Sequence, residues 1–238
     1  MTDEQLSKVR QNQAEQKAFE DNLHKLLNGD KRIASKPLVV GKTPNALTLG
    51  GAKAGLELTV TKAVIDKMRS PEMRDSNGKR LRNSGHFLSS DEIIYALNSL
   101  KTPVMLLKGS KDDTIVAITD IQDQRGQQVM VSVLLNRMGS IGEINAITSA
   151  YGRENFAVYL QSQIHEHNNL IAINKDKADE MLLSIGVDFP KANTFISFDN
   201  SIAYTYEIVK HSFLKKGRRA IKWIIQGIKS MNLHLRNR

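Results

Sequence analysis

His86 lies in a cationic stretch just ahead of a helix signal, where an imidazole can meet an anionic ligand with help from a helix N-terminus. A purely structural histidine is the commoner outcome at such a position. The run Ile147-Thr-Ser-Ala-Tyr-Gly-Arg153 concentrates hydroxyls, a phenol and a guanidinium after an expected strand, a set able to grip a phosphodiester without metal. The same residues also make a plain strand exit. His165 and His167 flank Glu166, but residues two apart point to different sides of a helix, so they read as a solvated helix end and no metal site is expected. His24, His211 and His234 fall on polar faces of expected helices. Walker, H-E-x-x-H and G-x-S-x-G motifs are absent, and Gly50, Gly51 and Gly55 precede a strand instead of joining a strand to a helix.

These residues belong to a chain of 238 with 40% hydrophobic residues, five prolines and no cysteine. The composition is that of a foldable globular protein, one good-sized domain with appendages or two small ones. Disulfides, thiol catalysis and thiolate zinc sites are excluded. No run approaches the ~18 apolar residues of a membrane span, and residues 1–12 are too polar for a secretory signal, so a cytoplasmic protein is expected. The net charge of +9 is unevenly placed. Residues 210–238 hold nine Lys and Arg and no acid, whereas residues 1–209 hold 25 charges of each sign. The basicity therefore describes the partners of a tail and not those of the body.

The elements that must position the reactive residues follow from periodicity and punctuation. Thr2 and Gln5 form a capping box for a long polar helix ending at Gly29, with a weak stripe of Leu6, Val9, Phe19, Leu23, Leu26 and Leu27. A compact domain is expected from Pro37: an apolar run to Val40, a strand over 56–60, a helix over 61–69, and a charged, mobile loop over 72–85. A second capping box, Ser89 to Glu92, starts a helix that stops before Thr102-Pro103. Strands over 104–107, 114–121 and 128–135, with a turn at Asp123-Gln-Arg-Gly126, make an antiparallel meander. Residues 143–148 read as a strand or short helix, with 149–152 as its exit; then come a helix over 156–163, a strand over 170–173, a helix over 175–185 and an extended run over 194–198. Helices are expected over 200–209 and 218–231, the last with an Ile stripe and Trp223 among cations. Three parts result: an N-terminal helical arm (1–36), an α+β domain (37–190), and a C-terminal extension (191–238).

The order of these segments resembles a family. The run Val40-Gly-Lys-Thr-Pro44, residues 56–60, Lys67, Gly85-His86 before Ser89-Ser-Asp-Glu92, Pro103, the hairpin over 115–135 and residues 143–153 look like a phage-associated nuclease-like domain. That domain occurs at the C-terminus of MuF-type head proteins and in mobile-element polyvalent proteins, and is assigned to the barnase, EndoU, colicin and RelE-like fold. The resemblance covers about residues 38–186; this chain departs from it in a longer loop between Lys67 and His86 and in the basic tail.

The resemblance implies a small antiparallel β-sheet packed by helices, with extra terminal helices, and RNA cleaved without metal or cofactor. In that chemistry a base takes the 2′-OH proton, the oxygen attacks phosphorus, and an acid protonates the leaving 5′-oxygen. The matching residues are His86 as general acid or base, Ser149 and Tyr151 as phosphate or proton-relay groups, and Arg153 as electrostatic clamp. Lys67, Lys108 and Thr148 are lesser substrate contacts. In the tail, Arg218, Arg219 and Lys222 would meet nucleic acid or an anionic membrane surface, unless the Ile stripe simply docks on the body. The implied partners are RNA and a cognate immunity or antitoxin protein, and the implied place is the cytoplasm, its own or that of a target cell. Two rivals stand beside the ribonuclease: a non-catalytic nucleic-acid- or protein-binding module, and nucleotidyl or ADP-ribosyl transfer in the same pocket.

Overall fold

The computed structural model describes residues 3–79, 81, 84–139, 142–188 and 195–198. The chain divides into two units, residues 1–198 and 199–238, and every element described belongs to the first. Thr2, the expected helices over 200–209 and 218–231, and with them Arg218, Arg219, Lys222 and Trp223, lie outside the described residues.

The described chain is α+β. Its helices are α1 (Asp3–Leu27), α2 (Lys31–Ala34), α3 (Asn45–Thr48), α4 (Lys62–Arg69), α5 (Ser90–Asn98), α6 (Phe156–Gln161) and α7 (Lys175–Ile185). Its strands are β1 (Leu38–Lys42), β2 (Glu57–Val60), β3 (Met105–Lys108), β4 (Thr114–Gln122), β5 (Gln128–Met138), β6 (Glu143–Arg153), β7 (Leu170–Asn174) and β8 (Ile196–Phe198). All eight join one sheet in the order β1-β2-β6-β5-β4-β3-β7-β8. Among the described residues no helix is long and apolar enough to cross a membrane.

The expected small antiparallel sheet is corrected to a larger mixed one. The meander β3-β4-β5-β6 is antiparallel, as its hairpin signals indicate, but β2 lies parallel to β6 and β8 parallel to β7. Glu57 pairs with Ile144 across a long stretch of sequence. A parallel pair needs such a crossover and leaves no turn motif behind, which is why local reading misses it. The exit expected at 149–152 is also corrected: β6 continues through Arg153 because Gln128 to Ser132 of β5 pair with it residue by residue.

Both faces of the sheet are covered, so β4 and β5 read as nearly continuous apolar runs. On one face Ile115, Ala117, Val129, Val131 and Val133 pack with Leu23, Ile65, Ile93 and Leu97 from α1, α4 and α5. On the other, Val116, Ile118 and Met130 pack with Phe156, Leu160, Ala178 and Leu182 from α6 and α7. The long first helix is anchored through Phe19, Leu23 and Leu26, the C-terminal part of its stripe.

A polar staple fixes α7 to the meander. Lys177 Nζ donates to the Thr102 carbonyl at 2.9 Å and to Asp120 at 2.6 Å, while Ser99 Oγ donates to the other Asp120 oxygen at 3.0 Å. Burial pushes the Asp120 carboxyl up, but the hydrogen bonds from Lys177 and Ser99 outweigh it and hold the group below the usual carboxylate range. A carboxyl lowered by folding stabilises the folded state at neutral pH, and that contribution is lost progressively as pH falls below about 4. Because the site is partly exposed, the effect is small. Asp120→Asn should lower Tm by about 2 °C at pH 7, and the gap to wild type should narrow progressively as pH falls below about 4. Calorimetric scans of both proteins across that range check it.

Candidate active site

His86 is held by its backbone. A helix leaves its last carbonyls without intrahelical partners. The returning chain supplies donors to the end of α4: His86 N–H donates to Lys67 O at 3.1 Å, Leu88 N–H to Met68 O at 2.9 Å and Phe87 N–H to Ser70 O at 3.0 Å. Gly85 passes so close that a Cβ there would lie 1.9 Å from the Ser70 carbonyl oxygen, which only glycine avoids. Three residues beyond His86, Ser89 caps α5 through the expected capping box.

The β4–β5 turn locks this loop against β6. Asp123, its side chain wholly buried, accepts from the N–H groups of Arg125 and Gln127, both at 2.9 Å, and pairs with the Arg125 guanidinium at 3.0 Å. Arg125 also donates to Glu72 at 2.7 Å and to the His86 carbonyl at 3.3 Å. Burial works against its charge, but the hydrogen bonds with Glu72 and Asp123 outweigh it and hold its pKa above the ordinary value. On its far side the Asp123 carboxylate lies against β6, where a Cβ on Gly152 would stand 2.2 Å from Asp123 Oδ2. Glu72 pairs with Arg74, and Arg74 with Glu154 at the end of β6. The stretch expected as a mobile loop is thus tied down in its described part by its own charges.

In β6, Ser132 of β5 faces Ser149 while Val133 faces Ile147, so Thr148 is the extra residue of a β-bulge. A bulge re-aims the side chains that follow it. Ile147 enters the core with α4 and α5, whereas Tyr151 packs with the cluster on the opposite face. Ser149, Tyr151 and Arg153 share that second face, since pairing with Ser132, Met130 and Gln128 is unbroken. β2 stops at Val60, opposite Ile147, and His86 reaches β6 beyond that point.

The result is a cluster. His86 Nε2 and Ser149 Oγ are 2.9 Å apart, a hydrogen bond whose donor depends on the imidazole tautomer. The Tyr151 ring lies 5.4 Å from the imidazole, centroid to centroid, tilted by 36°. Farther along β6, the Arg153 guanidinium sits over the Tyr159 ring, 4.2 Å from its centroid. Burial, then the neighbouring Tyr151, push the Tyr159 phenol above its ordinary pKa; Arg153 opposes them but does not prevail. A groove of about 660 Å³ opens here, lined by Tyr151, Arg153, Val158, Tyr159, Ser162 and Gln163.

Thr148 Oγ1 donates across the bulge to Ser132 O at 3.2 Å. Lys67 meets the loop through its carbonyl, and its side chain is exposed. Lys108 pairs with Ile115, which pairs with Val133, which pairs with Ile147, so it stands three strands from β6, roughly 14 Å away, and on the Ile147 face. His165 and His167 are exposed, and no group of three metal-ligating side chains occurs among the described residues. Sequence spacing does not single out Asp123, Arg125, Glu72 or Tyr159 as members of the site. The one local signal for any of them is an aspartate opening the Asp123 to Gly126 turn.

Residues 78–180 match the phage MuF-C-terminal domain family, which bears out the phage association; the match carries no named activity. It spans His86, the Asp123 turn and all of β6, while α1 to α4 lie before it. No curated protein and no solved structure matches the chain.

Removing the buried Asp123 carboxylate takes away the acceptor of the Arg125 and Gln127 N–H groups and one side of the Arg125 pairing. Asp123→Ala should cost about 3 kcal/mol of unfolding free energy in urea titration, against under about 1 kcal/mol for truncating the exposed Asp75. Gly85→Ala should be comparably damaging, because its Cβ has no room.

Proposed function

We propose that this chain is a metal-independent endoribonuclease, a toxin-like or mobile-element effector that cleaves RNA by 2′-OH transesterification. The observation that carries the reading is the 2.9 Å hydrogen bond between His86 Nε2 and Ser149 Oγ, with Tyr151 beside it. His86 is only 8% exposed, whereas Ser149 is half-buried, so Ser149 is the partner a ligand reaches first. The imidazole takes the 2′-OH proton, directly or through Ser149. The 2′-oxygen forms a bond to phosphorus as the bond to the 5′-oxygen breaks, and Tyr151 relays the proton held by the imidazolium to the departing oxygen. The products are a 2′,3′-cyclic phosphate and a 5′-hydroxyl. A positioned acid and base contribute typically about 10²–10⁴-fold to such a reaction.

The antiparallel meander β3 to β6, with α5 immediately ahead of it, fits the barnase, EndoU, colicin and RelE-like arrangement and supports the reading. RNA is the substrate, a cognate immunity or antitoxin protein the expected regulator, and cytoplasm the place of action, in the producing or a target cell. The tail cations Arg218, Arg219 and Lys222 would add backbone contacts to nucleic acid or to an anionic membrane surface. A non-catalytic binding module is the second reading, favoured by the burial of His86 and by the pairing of Arg74 and Arg125 with carboxylates.

Labelled RNA incubated with chelator should be cut by wild type to 2′,3′-cyclic ends, and His86→Ala should lower the rate by about 10²-fold or more with RNA affinity retained. Binding without cleavage by wild type supports the module instead. Changing Arg218, Arg219 and Lys222 together to Gln should flatten the slope of log affinity against log salt by about 0.7 for each phosphate that is no longer neutralised. An unchanged slope removes the tail from RNA binding.

A further inference from the structure

We infer that the groove beside the His86–Ser149 pair holds a stacking subsite for one unpaired nucleobase, built from the Arg153 guanidinium on the Tyr159 ring, which makes single-stranded RNA the substrate class. The identity of the ligand rests on the ribonuclease reading; the stacking surface rests on geometry alone.

Arg153 is exposed, yet among the described residues it makes no ion pair, and the neighbouring Glu154 is committed to Arg74. What holds Arg153 is the Tyr159 ring, at 4.2 Å. A guanidinium is planar, weakly hydrated and stacks on aromatic faces, so one lying over a ring presents its other face to whatever enters the groove. RNA-binding proteins stack splayed bases on aromatic rings and on Arg planes in this way. The phenol of Tyr159, raised in pKa, stays neutral and adds no repulsion toward a phosphate nearby.

The spacing also suits a nucleotide. Ser149, Tyr151 and Arg153 lie on one face of one strand, so Arg153 is roughly 13 Å along the chain from Ser149. A phosphate held at His86 and Ser149 therefore brings an adjoining base toward Arg153 and Tyr159. Val158, 70% exposed at the lip, supplies apolar cover for the base. Part of the polar lining already has partners: Ser162 Oγ donates to Glu166 at 2.7 Å, and the Gln163 side-chain carbonyl accepts from Asn169 at 2.9 Å. Stacking thus dominates over reading of base edges, and weak base preference is expected. A base in a duplex, already stacked and paired, cannot enter.

The test uses the full chain and a short single-stranded RNA in which one base beside the cleaved linkage is replaced by an abasic site. In wild type the abasic site should raise KM on the order of 10-fold with kcat largely kept. It should make no difference in Tyr159→Ala or in Arg153→Gln, the latter a surface change that leaves folding intact. Tyr159→Phe should behave as wild type, since the ring and not the phenol is required, and annealing a complementary strand should protect the RNA. Cleavage that is indifferent to the abasic site at every position in wild type overturns the subsite and leaves the ribonuclease standing. Where wild type cleaves nothing, equilibrium binding of the same oligonucleotides decides: affinity that depends on the base and disappears in Arg153→Gln sustains the subsite while the ribonuclease fails, and affinity indifferent to the base overturns both.

Discussion

Asp123 is a carboxylate wholly removed from water, and Arg125, which meets it from the surface, is held by the folded chain on three sides. Asp123 and Glu72 supply the opposite charge, and the His86 carbonyl takes a further hydrogen bond. A buried ion pair of this kind adds little net stability compared with apolar packing, but breaking it is expensive, because the remaining charge is stranded. Its effect is to specify an arrangement. The β4–β5 turn, the loop carrying His86 and the charged segment after α4 satisfy one another in one relative placement. Gly85 meets the Ser70 carbonyl and Gly152 the Asp123 carboxylate, each too closely for a side chain, so both belong to the same constraint.

The second device is the bulge at Thr148. Without it, Ile147, Ser149 and Tyr151 would alternate onto one face, and a hydroxyl and a phenol would enter the core that Ile147 fills. One extra residue turns Ser149 and Tyr151 to the other face, where they meet His86, and Arg153 follows in register to meet Tyr159. Bulges tend to occur beside functional sites for this reason, since they change a side chain's direction without unmaking the sheet.

Electrostatically, the body and the site are close to balanced. Residues 1–209 carry equal numbers of cations and anions, and around His86 two arginines are paired with three carboxylates. Arg153 is the cation at the groove held by an aromatic face instead of an acid. That distinction separates cations that build the loop from the one offered to a ligand, and proximity in sequence to His86 does not reveal it. Lys67, adjoining the loop, contributes a backbone carbonyl, and Lys108 belongs to the far side of the meander.

Much of the local structure was legible in the residues themselves. Capping at Ser89, the stop at Gly186, the turn from Asp123 to Gly126 and the alternation in β4 and β5 each arise from interactions within a few positions, so the elements and their approximate ends could be read directly. The order His86 before a helix and Ser-x-Tyr-Gly in a late strand was equally visible, and with it the phage-associated resemblance over about residues 38–186, of which 78–180 match the family. The tertiary structure alone decided the parallel pairings of β2 with β6 and of β7 with β8, the second covered face, the length of β6 and the bulge inside it. It also decided which cations face a carboxylate and which face a ring. Those outcomes depend on contacts between segments tens of residues apart, whose partners leave no mark on the spacing of either segment.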